Sequence, residues 1–189
     1  MQQSRPFNPA ASRRDFLSLA GALPLAALAG QAPGGRTGGK PPSGIQPDEG
    51  ELLFVGPTRD PVRIKVSPPA PGRFAMIVQE MAPGSRVPVH LHEREDEIIF
   101  IQRGAGTATI GTERVTLRAG STLFVPQGTW HGGENSGTET LVWVAIYSPS
   151  GFEGYFREIG IRPNGEMPPQ LTPDERMERD RRYGIRYPA

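Results

Sequence analysis

Val87-Pro88-Val89-His90-Leu91-His92 (residues 87–92) runs into the charged loop Glu93-Arg94-Glu95-Asp96 and then Glu97, and the architecture can be worked out from this segment. The 189-residue chain has three histidines, and two of them stand here, one residue apart. A β-strand points successive side chains to opposite faces, so His90 and His92 share a face about 7 Å apart while Val89 and Leu91 take the other. Two imidazoles on one wall can both reach an ion about 2.1 Å from nitrogen, which adjacent strand positions cannot do. By itself, His-X-His describes a hydrogen-bonded or solvent-facing pair equally well.

Glu97 narrows the choice. It follows His92 by five residues, an odd step that would turn it away if the strand ran straight on. The four charged residues between suit a loop, and a hairpin there would return Glu97 on the adjacent strand, facing the same interior. Ile98, Ile99, Phe100 and Ile101 follow it, so its carboxylate enters an apolar space, which is costly unless it meets a cation.

Working outward, short β-branched and aromatic runs alternate with glycine and proline turns. Strands are predicted at Leu52–Val55, Val62–Val66, Phe74–Gln79, Val87–His92, Glu97–Arg103, Thr107–Ile110, Arg114–Leu117, Thr122–Val125, His131–Glu134 and Thr140–Tyr147. This regular spacing indicates a sandwich or barrel rather than βαβ units. Gly104-Ala105-Gly106 and Gly111-Thr112 read as tight hairpin turns. Helix signals come only at the end. Phe152, Tyr155, Phe156 and Ile159 form an i, i+3, i+4, i+7 stripe. Thr172-Pro173-Asp174-Glu175 carries an N-cap, a first-turn proline and a reciprocal Glu, and that helix should stop at Gly184.

At this point the chain closely resembles the cupin family. Gly84, His90, His92, Glu97 and Gly104 fit the first cupin motif in its four-residue-spacer form. Gly120, Pro126, Gly128, His131 and Asn135 fit the second. All ten fixed positions between Gly84 and Asn135 are satisfied. The resemblance implies an all-β, single-domain jelly-roll barrel holding one divalent transition metal ion on His90, His92, Glu97 and His131. The ion would be Fe, Mn, Ni, Co, Cu or Zn. The glycines fall where turns need positive φ or close approach, Pro126 stiffens the turn that delivers His131, and Asn135 holds the turn that follows. Ile99 and Ile101, in phase with Glu97, are expected as pocket walls. Met76, Val78, Phe124, Trp143 and Tyr147 are further candidates, read first as core, and the Phe152/Tyr155/Phe156 stripe is a candidate cap for one mouth. No catalytic base beyond Glu97 stands out, and a Ser-His-Asp reading fails because all three histidines are already accounted for.

The N-terminus reads differently. Ser12-Arg13-Arg14-Asp15-Phe16-Leu17 opens an apolar run that exits through Ala27-Leu28-Ala29, a head, core and exit pattern resembling a twin-arginine export signal over residues 1–29. Residues 30–50 hold seven glycines and four prolines and read as a flexible, disordered tether. Residues 51–150 are assigned to the barrel and 151–189 to a helical extension. Cleavage after Ala29 would remove three of 21 basic and one of 20 acidic residues, leaving a net charge of −1. No basic face remains for nucleic acid, and no stable membrane insertion is expected after cleavage. The absence of cysteine excludes disulfides and thiolate chemistry.

Four protein ligands leave one or two positions of a mononuclear site open to water, dioxygen or a chelating substrate. The general resemblance is to quercetin-dioxygenase-like cupins, which implies an O₂-dependent oxidoreductase acting on a small aromatic or enolisable molecule, with Glu97 also serving as base. A redox-neutral isomerase, lyase or decarboxylase and a non-catalytic binder are the alternatives. Twin-arginine export carries folded proteins, so the expected location is periplasmic or secreted, with cytoplasmic loading favouring Fe or Mn. A homodimer is the expected assembly, since jelly rolls often pair through strand edges.

Overall fold

Alternation of buried and accessible side chains along the chain is the two-residue period of sheets that turn one face to a core. The computed structural model describes residues 44–68, 72–165 and 168–188. The expected export signal and residues 30–43 of the expected tether lie outside them. Residues 44–50 are exposed, and Lys65 Nζ fastens them by donating to the carbonyls of Gln46, Pro47 and Glu49.

The strands are β1 (Glu51–Val55), β2 (Asp60–Val66), β3 (Ala75–Met81), β4 (Arg86–His92), β5 (Asp96–Arg103), β6 (Ala105–Ile110), β7 (Glu113–Arg118), β8 (Thr122–Val125), β9 (His131–Glu134) and β10 (Leu141–Ser148). Helices α1 (Glu153–Ile159) and α2 (Pro173–Tyr183) follow, then β11 (Ile185–Arg186). Each of the ten strands expected from sequence is present. Two antiparallel sheets result, one ordered β1-β2-β3-β10-β5-β8 and the other β11-β4-β9-β6-β7. Their inner faces meet in a core that includes Leu53, Val62, Ile77, Met81, Ile99, Ile101, Leu117, Val125 and Leu141. This is the jelly-roll barrel.

Two expected hairpins are instead crossings between sheets. β4 and β5 lie in different sheets, so Glu93–Asp96 is a corner. Glu97 therefore reaches the histidines from the opposite wall rather than from the adjacent strand. Arg103 and Ala105 likewise belong to different sheets, with Gly104 at the crossing. Gly104 has φ 85°, and a Cβ there would stand 2.7 Å from the Thr140 carbonyl oxygen, so no other residue fits without displacement. Gly111-Thr112 is a true two-residue hairpin, with Ile110 opposite Glu113.

The C-terminal extension folds back on the barrel. In α1 the buried Tyr155 joins Phe152 just before the helix to present the apolar stripe inward. α2 carries the expected capping box, in which the Glu175 amide donates to Thr172 Oγ1 and the Thr172 amide to Glu175 Oε2. Gly184 ends it in the left-handed conformation. The chain then forms β11, absent from the sequence expectation. It pairs Ile185 with His92 and Arg186 with Leu91, on the strand that carries two of the three histidines.

Candidate metal centre

His90 and His92 come from β4, His131 from the start of β9 opposite His90, and Glu97 from β5 in the other sheet. All four are buried, and one potential ligand atom from each lies within 4.8 Å of the others. His90 Nε2 is 3.3 Å from His92 Nε2, and Glu97 Oε2 lies 2.8 Å from His131 Nε2 and 3.5 Å from His92 Nε2. Donors sharing one ion at ~2.1 Å are at most ~4.2 Å apart, so small inward movements bring all four onto a common centre.

The backbone aims two of the rings. His90 Nδ1 is 2.8 Å from the Pro88 carbonyl and His131 Nδ1 is 3.0 Å from the Thr129 carbonyl. A carbonyl only accepts, so each Nδ1 carries its proton and each Nε2 is turned to the centre. His92 Nδ1 is buried with no hydrogen-bond partner among the described residues. Its ring is held by Phe152 at 4.2 Å and Tyr147 at 5.4 Å between centroids.

The electrostatics suit a cation. Burial lowers the His90 pKa to about 3, with the charges of His131 and His92 adding to the effect, so its Nε2 lone pair is free at neutral pH. Burial opposes charge on Glu97, but hydrogen bonds with His131 and His92 outweigh it and hold the carboxyl well below its usual range. Burial also opposes charge on His131, yet its hydrogen bond to Glu97 wins and raises its pKa. The proton shared by Glu97 and His131 thus occupies the place of a positive ion. Three imidazoles with convergent nitrogens and one ionised carboxylate fit a first-row transition metal better than Ca²⁺ or Mg²⁺, which take oxygen ligands.

The cluster opens into a cavity of about 230 Å³. Trp143, Tyr147, Phe152, Tyr155 and Phe156 line it, as do Gln79, Arg86 and Tyr187. Trp143 and Tyr147, read first as core, belong to the buried core and also line the cavity, as does the helical stripe. Ile99 and Ile101, the expected walls, are buried in the core at 1% and 0% exposure and do not line the cavity. Sharing a face with Glu97 fixes their side of the sheet but not their depth. Met76, Val78 and Phe124 point the other way, and Phe124 is 62% exposed. Sequence reasoning missed Gln79, Arg86 and Tyr187. The in-phase spacing of Ile77 and Gln79 on β3 was a usable signal, whereas Tyr187 reaches the cavity only because β11 pairs with β4.

Residues 77–147 match the protein family described as a cupin domain. Over these residues the barrel is similar to cupin domains. Over 99 residues it is 26% identical to gentisate 1,2 dioxygenase 1 of Aquipseudomonas alcaligenes, a match spanning 47% of this chain and 28% of that protein. Over 67 residues it is 36% identical to the oxalate-binding protein of Thermotoga maritima, spanning 35% of this chain and 55% of that one. The chain thus spans between a quarter and about half of the length of these curated relatives. An RmlC-like cupin from Shewanella frigidimarina has a TM-score of 0.50 at 16% identity, covering 58% of this chain and 93% of that one, a likeness of fold alone.

Proposed function

We propose that this chain binds one transition metal ion through His90, His92, Glu97 and His131 and uses it to oxidise a small aromatic or enolisable substrate with O₂. The observation that carries the reading is the opening of this four-donor cluster into a small cavity walled by aromatic side chains. An ion held there supplies a Lewis-acid and redox centre to which a phenol or enol oxygen and dioxygen both have access.

The chain's own groups account for the rest. Trp143, Tyr147 and Phe152 present flat apolar surfaces that hold a ring and exclude water. Glu97 stays ionised at neutral pH and accepts the substrate hydroxyl proton. His90 and His131, fixed by backbone carbonyls, keep the donor set from rearranging as the proton moves. Size limits the substrate. A cavity of ~150 Å³ takes a benzene ring, so about 230 Å³ suits one substituted ring or a short diketone.

The test is anaerobic titration of metal-loaded protein with catechols, hydroxybenzoates and β-diketones, followed by O₂ uptake. Stoichiometric uptake supports the reading, and binding without uptake refutes it. The similarity to an oxalate-binding protein favours one second reading, a non-catalytic binder of small acids, which predicts tight retention and no product. Turnover without O₂ would instead assign a redox-neutral reaction.

Export supports a view of the ion itself. The Arg13-Arg14 pattern fits folded export to the periplasm, with metal inserted beforehand in the cytoplasm, where iron or manganese can be loaded ahead of tighter-binding copper and zinc. Elemental analysis of protein recovered from the periplasm checks this, and mostly copper or zinc overturns it.

A further inference from the structure

Gln79 is the polar side chain in this cavity that neither the metal cluster nor the fold accounts for. It sits on β3 between Val62 of β2 and Trp143 of β10, 8% exposed, and its side chain lines the cavity. Among the described residues no hydrogen-bond partner meets its amide, and the amide is not closed off from accessible space. Burial alternates along β3, with Ile77, Gln79 and Met81 on the inner face, so the amide turns toward the cavity. Its two N–H donors and its carbonyl are therefore available to whatever enters. Several other polar wall groups have partners. The Tyr155 and Tyr187 hydroxyls bond each other at 3.0 Å, and Arg86 lies 3.4 Å from the Glu134 carboxylate.

Gln79 is also far from Glu97 along the sheet. Glu97 is level with Tyr147 on β10, whereas Gln79 is level with Trp143, four residues away. At strand rise that is about 13 Å along the sheet. A ligand reaching from the cluster to Gln79 must be bifunctional, with oxygens for the ion at one end and a hydrogen-bond acceptor at the other. Arg86 meets Glu134 through its Nε and keeps its other N–H donors at the same cavity, so an anionic acceptor fits.

We propose that Gln79 determines specificity by donating to a carboxylate on the substrate ring, remote from the oxygens at the metal. The substrate class is then a single-ring hydroxylated aromatic acid. This rests on the metal-dependent reading above, but its test does not need turnover.

The experiment measures anaerobic binding by calorimetry with metal-loaded protein, comparing catechol with 3,4-dihydroxybenzoate. The probes share the diol and differ in the remote carboxylate. Wild type is expected to prefer the acid by about tenfold or more, the scale of one hydrogen bond with charge assistance. In Gln79→Met, which keeps length and removes the amide, the ratio of the two Kd values falls toward one. In Gln79→Glu, which keeps shape and adds repulsion, it inverts. Metal content and melting temperature, measured on each variant, identify one that has not folded, and either variant alone carries the comparison. An unchanged ratio in a folded, loaded variant overturns the proposal, as does a wild type that binds both probes equally or neither. O₂ uptake is read separately. Gln79-dependent binding of the acid with no uptake sinks the oxygenase reading and leaves this assignment standing.

Discussion

His131 and Glu97 show how a single contact sets charge at this site. Burial alone would lower the imidazole pKa, and the Glu97 carboxylate reverses that. In metal-free protein, Glu97→Gln keeps the shape and removes the charge, so the His131 pKa is expected to fall below the ordinary value of ~6.5. An imidazole nitrogen NMR titration reads it directly, and an unchanged value would mean that the pair does not form in solution. The same substitution removes a donor and should weaken ion binding at least about a hundredfold, ~2.7 kcal/mol. The histidine pair was legible in the sequence because the two-residue period is a local property. Gln79 was legible only in part, because its in-phase spacing with Ile77 marks the inner face but not what that face meets.

At the level of elements, the corners deliver the donors. Asn135 is fully buried just past β9, and its Nδ2 donates to the Met81 and Glu139 carbonyls while its Oδ1 accepts from the Gly137 amide. It ties the strand bearing His131 to the end of β3. Asn135→Ala strands several buried polar groups and should cost about 3 kcal/mol, measured as a shift in urea midpoint. A loss under about 1 kcal/mol would show that these bonds do not hold the corner. The motif glycines, Pro126 and Asn135 were readable because turns demand particular residues. The sheet to which each corner leads was not. Glu93–Asp96 and Gly104–Gly106 have the composition of hairpins, yet both cross between sheets.

Across the whole molecule, one ion should stabilise the barrel, since four donors from two sheets converge only in the folded chain. Ion at a hundredfold excess over its Kd adds about 2.7 kcal/mol, and a chelator should lower the melting temperature accordingly. Acid should act in the same sense on metal-free protein. The folded His90 pKa, about 3, lies below its ordinary 6.5, so the unfolded chain binds more protons between those values. Stability is therefore expected to fall as pH drops from ~6.5 toward ~3, by up to about 1.4 kcal/mol per unit per bound proton. Glu97, also lowered, adds to the loss at the acid end. His131, raised, acts oppositely, since its contribution is complete below ~6.5 and is lost as pH rises through its folded value. Urea midpoints at pH 7 and pH 4.5 test the net sign, and a higher midpoint at pH 4.5 would contradict it.

Strand phase, turn chemistry and the donor set were written locally, in residues close enough along the chain to impose their own geometry. That was sufficient for a barrel or sandwich and for a shared face of His90, His92 and Glu97, while the jelly roll and the place of His131 followed from the resemblance of the two spaced motifs to cupins. The cavity depended on contacts distant in sequence. Its depth excluded Ile99 and Ile101, β10 brought in Trp143 and Tyr147, and β11 closed one side with Tyr187. Alternation fixes which face a side chain takes, but only the closing of two sheets fixes what lies opposite it and whether space is left between.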